Sequence, residues 1–187
     1  CNTYFIALAL ETGAENILKT AENFGFGEKN VLSDGMESSC GLLPSIDTLD
    51  SKAAIANISF GQGSLLATPL QICSAMSTIA RNGIRIEPYL IVGETDKNGK
   101  LIRIRNYHEN KQIISSETAK KIRGFLEKVV EEGSGSRAKS DYVTCAGKTA
   151  TAQTGKTKNG EEIYNAWFAG YFPADNPKYA VAILKED

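Results

Sequence analysis

The spacing of apolar residues divides the chain into a helical first part and a strand-rich last part. On either side of Gly13, apolar residues recur three or four positions apart, as they do on one face of a helix. We therefore expect two short helices separated near Gly13, with Gly25 as the C-terminal cap of the second. The residues that set this spacing are Phe5, Leu8, Ala9, Ile17, Leu18 and Ala21.

Residues 1–83 as a whole are predicted to be mainly helical. After a loop rich in glycine and serine at 33–44, Asp50 is the expected N-cap of a helix through KAAIANI. The pair Thr68-Pro69 is typical of a helix start, because proline fits the first helical position, and Asn82-Gly83 is typical of a helix end.

The pattern becomes extended over residues 84–106. Runs rich in β-branched residues flank Asn98-Gly99, which predicts a β-hairpin. A helix is then expected over 115–133, opened by Ser115 or Ser116 and ended by Gly133. Its apolar stripe is Ala119, Ile122, Leu126 and Val129 or Val130.

Residues 142–187 are predicted to form a three-strand antiparallel meander. The segments VTCAGKTATAQT, NAWFAGYFP and KYAVAILKE are joined by turn sequences at Asn159-Gly160 and Asp175-Asn176-Pro177. Helices followed by consecutive antiparallel strands indicate an α+β fold, in which helices pack on an antiparallel sheet, and not alternating βαβ units.

Composition excludes several classes of function. The 187 residues carry 21 Lys+Arg and 22 Asp+Glu, a net charge of -1, so no basic surface for nucleic acid is expected. No apolar run is long enough to span a membrane, and CNTYFIALAL lacks a basic leader. The four cysteines lack CxxC spacing and His108 is the one histidine, which disfavours a metal site and a Ser-His-Asp triad. No cofactor is expected.

The stretch AGKTATAQTG, residues 146–155, places Lys148 among very small residues in a predicted strand. A core strand usually contains valine, isoleucine and aromatic residues. A strand with such small side chains lets another molecule lie against its backbone.

Four motifs occur in an order that identifies a family. The chain resembles the transpeptidase domain of class B penicillin-binding proteins through SFGQG, TPLQ, GKTATAQTG and AWFAGYFP. The resemblance covers the C-terminal part of that domain. It implies a partial penicillin-binding and serine β-lactamase-like fold that lacks its N-terminal elements, so that residues 1–187 are a portion of a single transpeptidase domain.

The resemblance also implies a set of site residues. The family carries a Ser-x-x-Lys with the nucleophile, a Ser-x-Asn, and a Lys-Thr-Gly on an edge strand. Asn2 looks like the last residue of the Ser-x-Asn, and Lys148, Thr149 and Ala150 look like the third motif. By resemblance, Lys148 supplies positive potential and a hydrogen bond, the hydroxyls of Thr149 and Thr151 hold the substrate carboxylate, and the Thr151 N–H forms half of the oxyanion hole. The nucleophile is expected upstream of Asn2.

Ala150 departs from the family, which has glycine at this position. Its methyl group is expected to hinder the close approach of substrate or neighbouring backbone unless the strand shifts. We expect function to be retained, with β-lactam affinity as the property open to change.

Several residues also have simpler interpretations. Lys148 could be an exposed lysine that protects a sheet edge, and Asn2 could be a helix N-cap. Trp167 and Phe168 are expected in the core, and His108 in a surface loop. A Ser-x-x-Lys pattern does occur in the chain, at Ser136-Arg137-Ala138-Lys139, but a Gly/Ser loop after a helix is the wrong context for the nucleophile.

The resemblance implies that the parent protein is a serine-type peptidoglycan D,D-transpeptidase that binds β-lactams. Its substrate would be the D-Ala-D-Ala stem peptide. The parent is expected at the extracytoplasmic face of the bacterial membrane, with a membrane anchor and cell-wall synthesis partners. The fragment itself is expected to be inactive and, with an uncovered face, prone to self-association.

Two other functions remain open at this point. A β-lactam-sensing or degenerate domain would bind wall peptide without turnover, and the context of the missing nucleophile would distinguish it. A serine β-lactamase has the same fold, but no deacylation base is evident in these residues.

Overall fold

The computed structural model describes residues 1–104 and 110–186, and within them helices dominate the first half of the chain. Two short 3₁₀ turns, Ile46–Leu49 and Ser136–Ala138, accompany the helices. The α-helices are α1 (Asn2–Thr12), α2 (Ala14–Asn23), α3 (Lys52–Ser59), α4 (Pro69–Ala80) and α5 (Ser116–Glu131).

The strands in the described part of the chain are all paired antiparallel. One three-stranded sheet has the order β7-β8-β9, and the remaining strands form the two-stranded ribbons β1-β2, β3-β6 and β4-β5. The bounds are β1 (Val31–Ser33), β2 (Met36–Glu37), β3 (Ile84–Arg85), β4 (Gly93–Thr95), β5 (Leu101–Ile104), β6 (Lys111–Gln112), β7 (Ala146–Lys158), β8 (Glu161–Phe172) and β9 (Tyr179–Glu186).

Helix α4 begins where the sequence predicts, because Thr68 and Gln71 cap it reciprocally. The Thr68 hydroxyl accepts from the Gln71 amide at 3.2 Å, and the Gln71 side-chain oxygen accepts from the Thr68 amide at 3.0 Å. The helix ends at Ala80, and Asn82 and Gly83 follow with positive φ angles of 57° and 88°. Both predicted boundary signals are therefore confirmed.

Among the described residues, two apolar clusters form the core. One lies between α4, α5 and the three-stranded sheet, and the other lies among α2, α3 and the 3₁₀ turn before it. The buried members of the first are Ala80, Leu126, Ala146, Tyr171 and Ala174, and those of the second are Leu18, Leu49 and Ile58.

Gln71 connects α4 to the segments that follow α2 and β2. Its side chain is 2% exposed, and its amide nitrogen donates to the carbonyls of Gly25 at 3.1 Å and Cys40 at 2.9 Å. Arg85 makes a second connection, because it donates to the Asn23 carbonyl at 3.3 Å. A buried amide with all its polar atoms bonded fixes the geometry of the segments it joins.

The start of β7 is held by the turn that follows β8. The Thr144 hydroxyl donates to Asp175 at 2.8 Å, and the Ala174 amide donates to the Thr144 carbonyl at 3.0 Å. The hydrogen bond from Thr144 holds the pKa of the Asp175 carboxyl below its usual value. From α5, Arg123 donates to the Ala174 carbonyl at 2.9 Å, so the same turn is also tied to a helix.

Several predicted boundaries need correction. The N-cap of α3 is Ser51 and not Asp50, because the Ser51 hydroxyl accepts from the Ala54 amide. The segment 33–44 was predicted as a loop, but it contains the last residue of β1 and all of β2, which pair as a ribbon. These strands are too short to leave a periodic signal. The first strand of the meander begins at Ala146, after an irregular lead-in.

The segment predicted as one hairpin over 84–106 is divided between two ribbons. Its hairpin is β4-β5, whereas β3 pairs with β6, a strand beyond the predicted segment. Arg105, Asn106 and His108 lie outside the described residues. None of the described helices is both long and apolar enough to cross a membrane.

Candidate active site

The predicted site residues 148–151 lie in β7, at one edge of the three-stranded sheet. Here β7 pairs with β8 in unbroken register from Ala146 opposite Tyr171 to Gln153 opposite Tyr164. Beyond Gln153 the register shifts before pairing resumes at Thr157. The regular part of the strand is therefore the part that carries the small residues and Lys148.

The site residues alternate between the two faces of the sheet. Because successive side chains of a strand point to opposite faces, Lys148 and Ala150 share one face, and Thr149 and Thr151 share the other. One edge of β7 is unpaired among the described residues. Side chains from both faces border this free edge, so a ligand lying along it can meet all four residues.

The ammonium group of Lys148 lies next to the backbone of its own strand. Its Nζ donates to the Thr149 carbonyl oxygen, and the side chain is exposed. The lysine thus places a positive charge beside an accessible backbone acceptor. Thr149 and Thr151 present their backbone groups in the same direction, because hydrogen-bonding positions in an antiparallel strand repeat every second residue.

Thr149 has a hydroxyl partner that the sequence does not predict. The oxygen of the Ser134 hydroxyl lies 2.9 Å from the oxygen of the Thr149 hydroxyl. Ser134 belongs to the Gly/Ser loop after α5, and 15 residues separate it from Thr149. No spacing rule connects such a serine to a strand that comes later, so the pair is visible only in the fold.

Ala150 lies within the regular ladder opposite Trp167, and its methyl group is exposed. The strand accepts alanine here without an interruption of its pairing with β8. Trp167 and Phe168 lie in the middle of β8 and are half-buried.

Asn2 occupies the first position of α1, and Cys1 is the N-cap residue. The suggestion that Asn2 caps this helix is therefore wrong, and its side chain is exposed. Helix α1 packs on α3 and α2, whereas β7 packs on β8 and α5. Asn2 and Lys148 thus lie on elements that pack against different neighbours.

The Ser-x-x-Lys pattern at 136–139 lies in an exposed 3₁₀ turn. Ser136 and Lys139 are both exposed, and what joins them is the backbone bond from the Lys139 amide to the Ser136 carbonyl at 3.1 Å. A nucleophile needs a base within hydrogen-bonding reach of its hydroxyl and a site that excludes water. The turn provides neither among the described contacts.

The described residues contain no group of three or more acidic, histidine or cysteine side chains that could hold a metal ion. A cavity of about 440 Å³ lies between the ribbons β1-β2 and β4-β5, and its lining includes Asp34, Glu94 and Arg103. None of the predicted site residues lines it. The candidate site is therefore an open strand edge and not an enclosed pocket.

Comparison with known proteins identifies the family of the chain. The sequence profile of the penicillin binding protein transpeptidase domain matches residues 1–187. Stage V sporulation protein D of Bacillus subtilis is 34% identical over 191 residues, which cover 100% of this chain and 29% of that protein. Peptidoglycan D,D-transpeptidase MrdA of Acinetobacter baumannii is 29% identical over 206 residues, covering 100% of this chain and 30% of that protein.

Solved structures agree with the sequence matches. Penicillin-binding protein A of Mycobacterium tuberculosis, determined as an imipenem acyl-enzyme complex, has a TM-score of 0.84 at 28% identity and covers 100% of this chain with 40% of its own. Penicillin-binding protein 3 of the same organism, complexed with aztreonam, has a TM-score of 0.86 at 29% identity, with coverages of 100% and 43%.

The chain belongs to the family of penicillin-binding protein transpeptidase domains, and the α+β fold predicted from its sequence is confirmed. It spans less than a third of the length of the two relatives named above.

Proposed function

We propose that this chain is the C-terminal portion of a transpeptidase domain in a serine-type peptidoglycan D,D-transpeptidase, which is also the target of β-lactams. The observation that carries the proposal is the free edge of β7, where small residues leave the backbone accessible beside the Lys148 ammonium. The relatives whose names and complexes describe transpeptidation and β-lactam binding support it.

The edge suits an extended peptide that ends in a carboxylate. A D-Ala-D-Ala stem peptide would add to the sheet as an extra strand and bond to the backbone of β7. A β-lactam would bind along the same edge of β7. The hydroxyls of Thr149 and Thr151 would donate to the terminal carboxylate, and the charge of Lys148 would strengthen those bonds.

Acyl transfer then requires stabilisation of a tetrahedral oxyanion. We assign half of the oxyanion hole to the Thr151 N–H, because a backbone donor fixed in a regular sheet needs no reorganisation as charge develops. The scissile carbonyl would lie beside this donor when the peptide is paired with β7. Lys148 adds positive potential across the cleft.

We place the acylated serine outside these 187 residues. The single Ser-x-x-Lys within them, at 136–139, is an exposed turn without a paired base. Asn2 would face the nucleophile from the opposite side of the cleft, as the remaining residue of a Ser-x-Asn. On this assignment the chain by itself does not turn over substrate and presents an uncovered face that favours self-association.

The proposed protein acts at the extracytoplasmic face of the bacterial membrane, where stem peptides are cross-linked. It would be anchored in that membrane and work with other cell-wall synthesis proteins. No nucleic-acid role is proposed, because the net charge is -1.

The test is acylation of the full-length protein by benzylpenicillin, followed by intact mass spectrometry and peptide mapping. We expect one acyl adduct per protein, on a serine outside residues 1–187. An adduct on Ser136 would overturn the assignment of the nucleophile, and no adduct would overturn the function. Adduct formation without D,D-transpeptidation of a stem peptide would indicate the alternative, a β-lactam-sensing domain.

A further inference from the structure

The loop after α5 is built so that one serine hydroxyl reaches β7. The last turn of α5 is closed by backbone donors from Gly133 and Gly135, which bond the Val129 carbonyl at 3.2 Å and 2.9 Å. Ser134 lies between these two glycines. Its hydroxyl is consequently held on the side of the loop that faces the Thr149 hydroxyl, 2.9 Å away.

Both glycines lie close against the end of α5. A Cβ atom at Gly133 would lie 3.0 Å from both the Cα and the carbonyl oxygen of Val129, and one at Gly135 would lie 3.1 Å from that oxygen. Contacts this short are tighter than ordinary Cβ contacts, so a side chain at either position requires the loop or the helix end to give way slightly. Glycine on both sides of Ser134 therefore lets the loop lie close on α5 and fixes the position of the serine.

The number of protons and acceptor positions on each group indicates which hydroxyl donates in the Ser134–Thr149 pair. A hydroxyl has one proton and two acceptor positions, whereas a carboxylate only accepts. If Thr149 is to donate its proton to a substrate carboxylate, its oxygen is free to accept from another donor. Ser134 is the described side chain at hydrogen-bonding distance from that oxygen. In this arrangement Ser134 donates to Thr149, and Thr149 donates to the carboxylate.

We propose that Ser134 is a positioning residue for the carboxylate end of the ligand, acting through the hydroxyl of Thr149. The proposal rests on the function proposed above. A chain of hydrogen bonds polarises its members, so the donor from Ser134 strengthens the bond that Thr149 makes to the anion. It also selects the Thr149 rotamer in which the proton points toward the free edge of β7.

A purely structural role is a poor explanation for this contact. Ser134 is exposed, and an exposed hydroxyl pair exchanges readily with water, so it contributes little to folding. The fold of the loop is already supported by the backbone bonds to Val129. The side chain of Ser134 is therefore available for a role at the site.

The experiment measures acylation of the full-length protein by benzylpenicillin in a double-mutant cycle. The variants are Ser134→Ala, Thr149→Val and the combination of both. Ser134→Thr tests rescue by a retained hydroxyl, and Ser136→Ala removes a neighbouring exposed hydroxyl as a matched control. The acylation rate at low penicillin concentration and the pre-acylation dissociation constant are determined for each protein.

We expect Ser134→Ala to slow acylation roughly fivefold to tenfold, through a weaker pre-acylation complex, as for the loss of one hydrogen bond. Ser134→Thr should recover most of the rate, and Ser136→Ala should match the wild type. In the Thr149→Val background, Ser134→Ala should have no further effect, because the partner hydroxyl is already absent.

Equal slowing by Ser134→Ala in both backgrounds would overturn the proposal, because a general defect of the loop acts without Thr149. A Ser134→Ala protein that acylates at the wild-type rate would overturn it as well. Failure of the wild type to acylate is a separate result, since it contradicts the proposed function and not the role of Ser134 alone.

Discussion

Two hairpins of this protein have the same turn dipeptide, but one is packed against helices and the other is exposed. The strands β7 and β8 are joined at Asn159-Gly160, whose φ angles of 55° and 84° match the tightest hairpin turns. The strands β4 and β5 are joined by a longer loop around Asn98-Gly99, in which Asp96 accepts from the amides of Asn98 and Lys100 at 2.9 Å.

The packing around the two hairpins differs more than their turns. Helices α4 and α5 cover β7 and β8, and Ala169, Gly170 and Tyr171 near the end of β8 are buried. In contrast, every residue of β5 is exposed, including Ile102 at 68%. The same turn signal thus occurs in a packed hairpin and in an exposed one, and we expect helix packing to make β7 and β8 the more rigid support for a ligand.

Lysine substitutions should give the largest contrast between the hairpins. Lys148→Ala in the full-length protein removes the positive charge at the free edge of β7, and we expect β-lactam acylation to slow about 100-fold to 1000-fold, as when a preorganised electrostatic contact is lost. Lys100→Ala removes an exposed lysine from the other hairpin and should leave the rate unchanged. Stopped-flow acylation measures both, and similar rates for the two variants would show that Lys148 only protects the sheet edge.

Glycine substitutions test the rigidity of the two hairpins. A Cβ at Gly170 would collide with the Ala146 carbonyl, and a Cβ at Gly93 would collide with the Arg103 carbonyl. We expect Gly170→Ala to lower the free energy of unfolding by roughly 1–3 kcal/mol, because the packed pair cannot separate. Gly93→Ala should cost clearly less, because an exposed ribbon can shift. Chemical denaturation measures the free energy of unfolding of both variants. Equal losses of that free energy would mean that packing does not stiffen β7 and β8.

The smallest expected effect concerns the methyl group at Ala150. Ala150→Gly restores close access to the free edge, and we expect β-lactam acylation to become faster by on the order of tenfold at most, the scale of one methyl group in a binding site. Ala152→Gly removes a methyl group from the same face two residues further along and is the matched control. If both variants, or neither, accelerate acylation, the methyl at Ala150 does not limit access.

Local signals predicted much of the fold. The α4 start at Thr68-Pro69 is confirmed, because capping depends on side chains within a few residues. Of the two serines predicted to open α5, Ser115 is the N-cap. The pairing of β3 with β6 and the short ribbon β1-β2 were missed. Both consist of strands of two or three residues, whose formation depends on distant backbone partners.

The site was predicted in part. The position of Lys148, Thr149 and Thr151 on an edge strand follows from the motif and the meander, and the structure has them there. Ser134 was missed, because its contact with Thr149 depends on how the loop after α5 folds back toward β7. The roles of all these residues remain predictions.

The proposed ligand edge of β7 is tested most directly by the crystal structure of the full-length protein acylated by a penicillin. The quantity to measure is the distance from the Thr151 backbone nitrogen to the carbonyl oxygen of the acyl group. We expect a hydrogen bond of about 2.7–3.2 Å, with the penicillin carboxylate at the Thr149 and Thr151 hydroxyls. An acyl group bound away from β7, or a Thr151 amide without contact to the acyl oxygen, would contradict it.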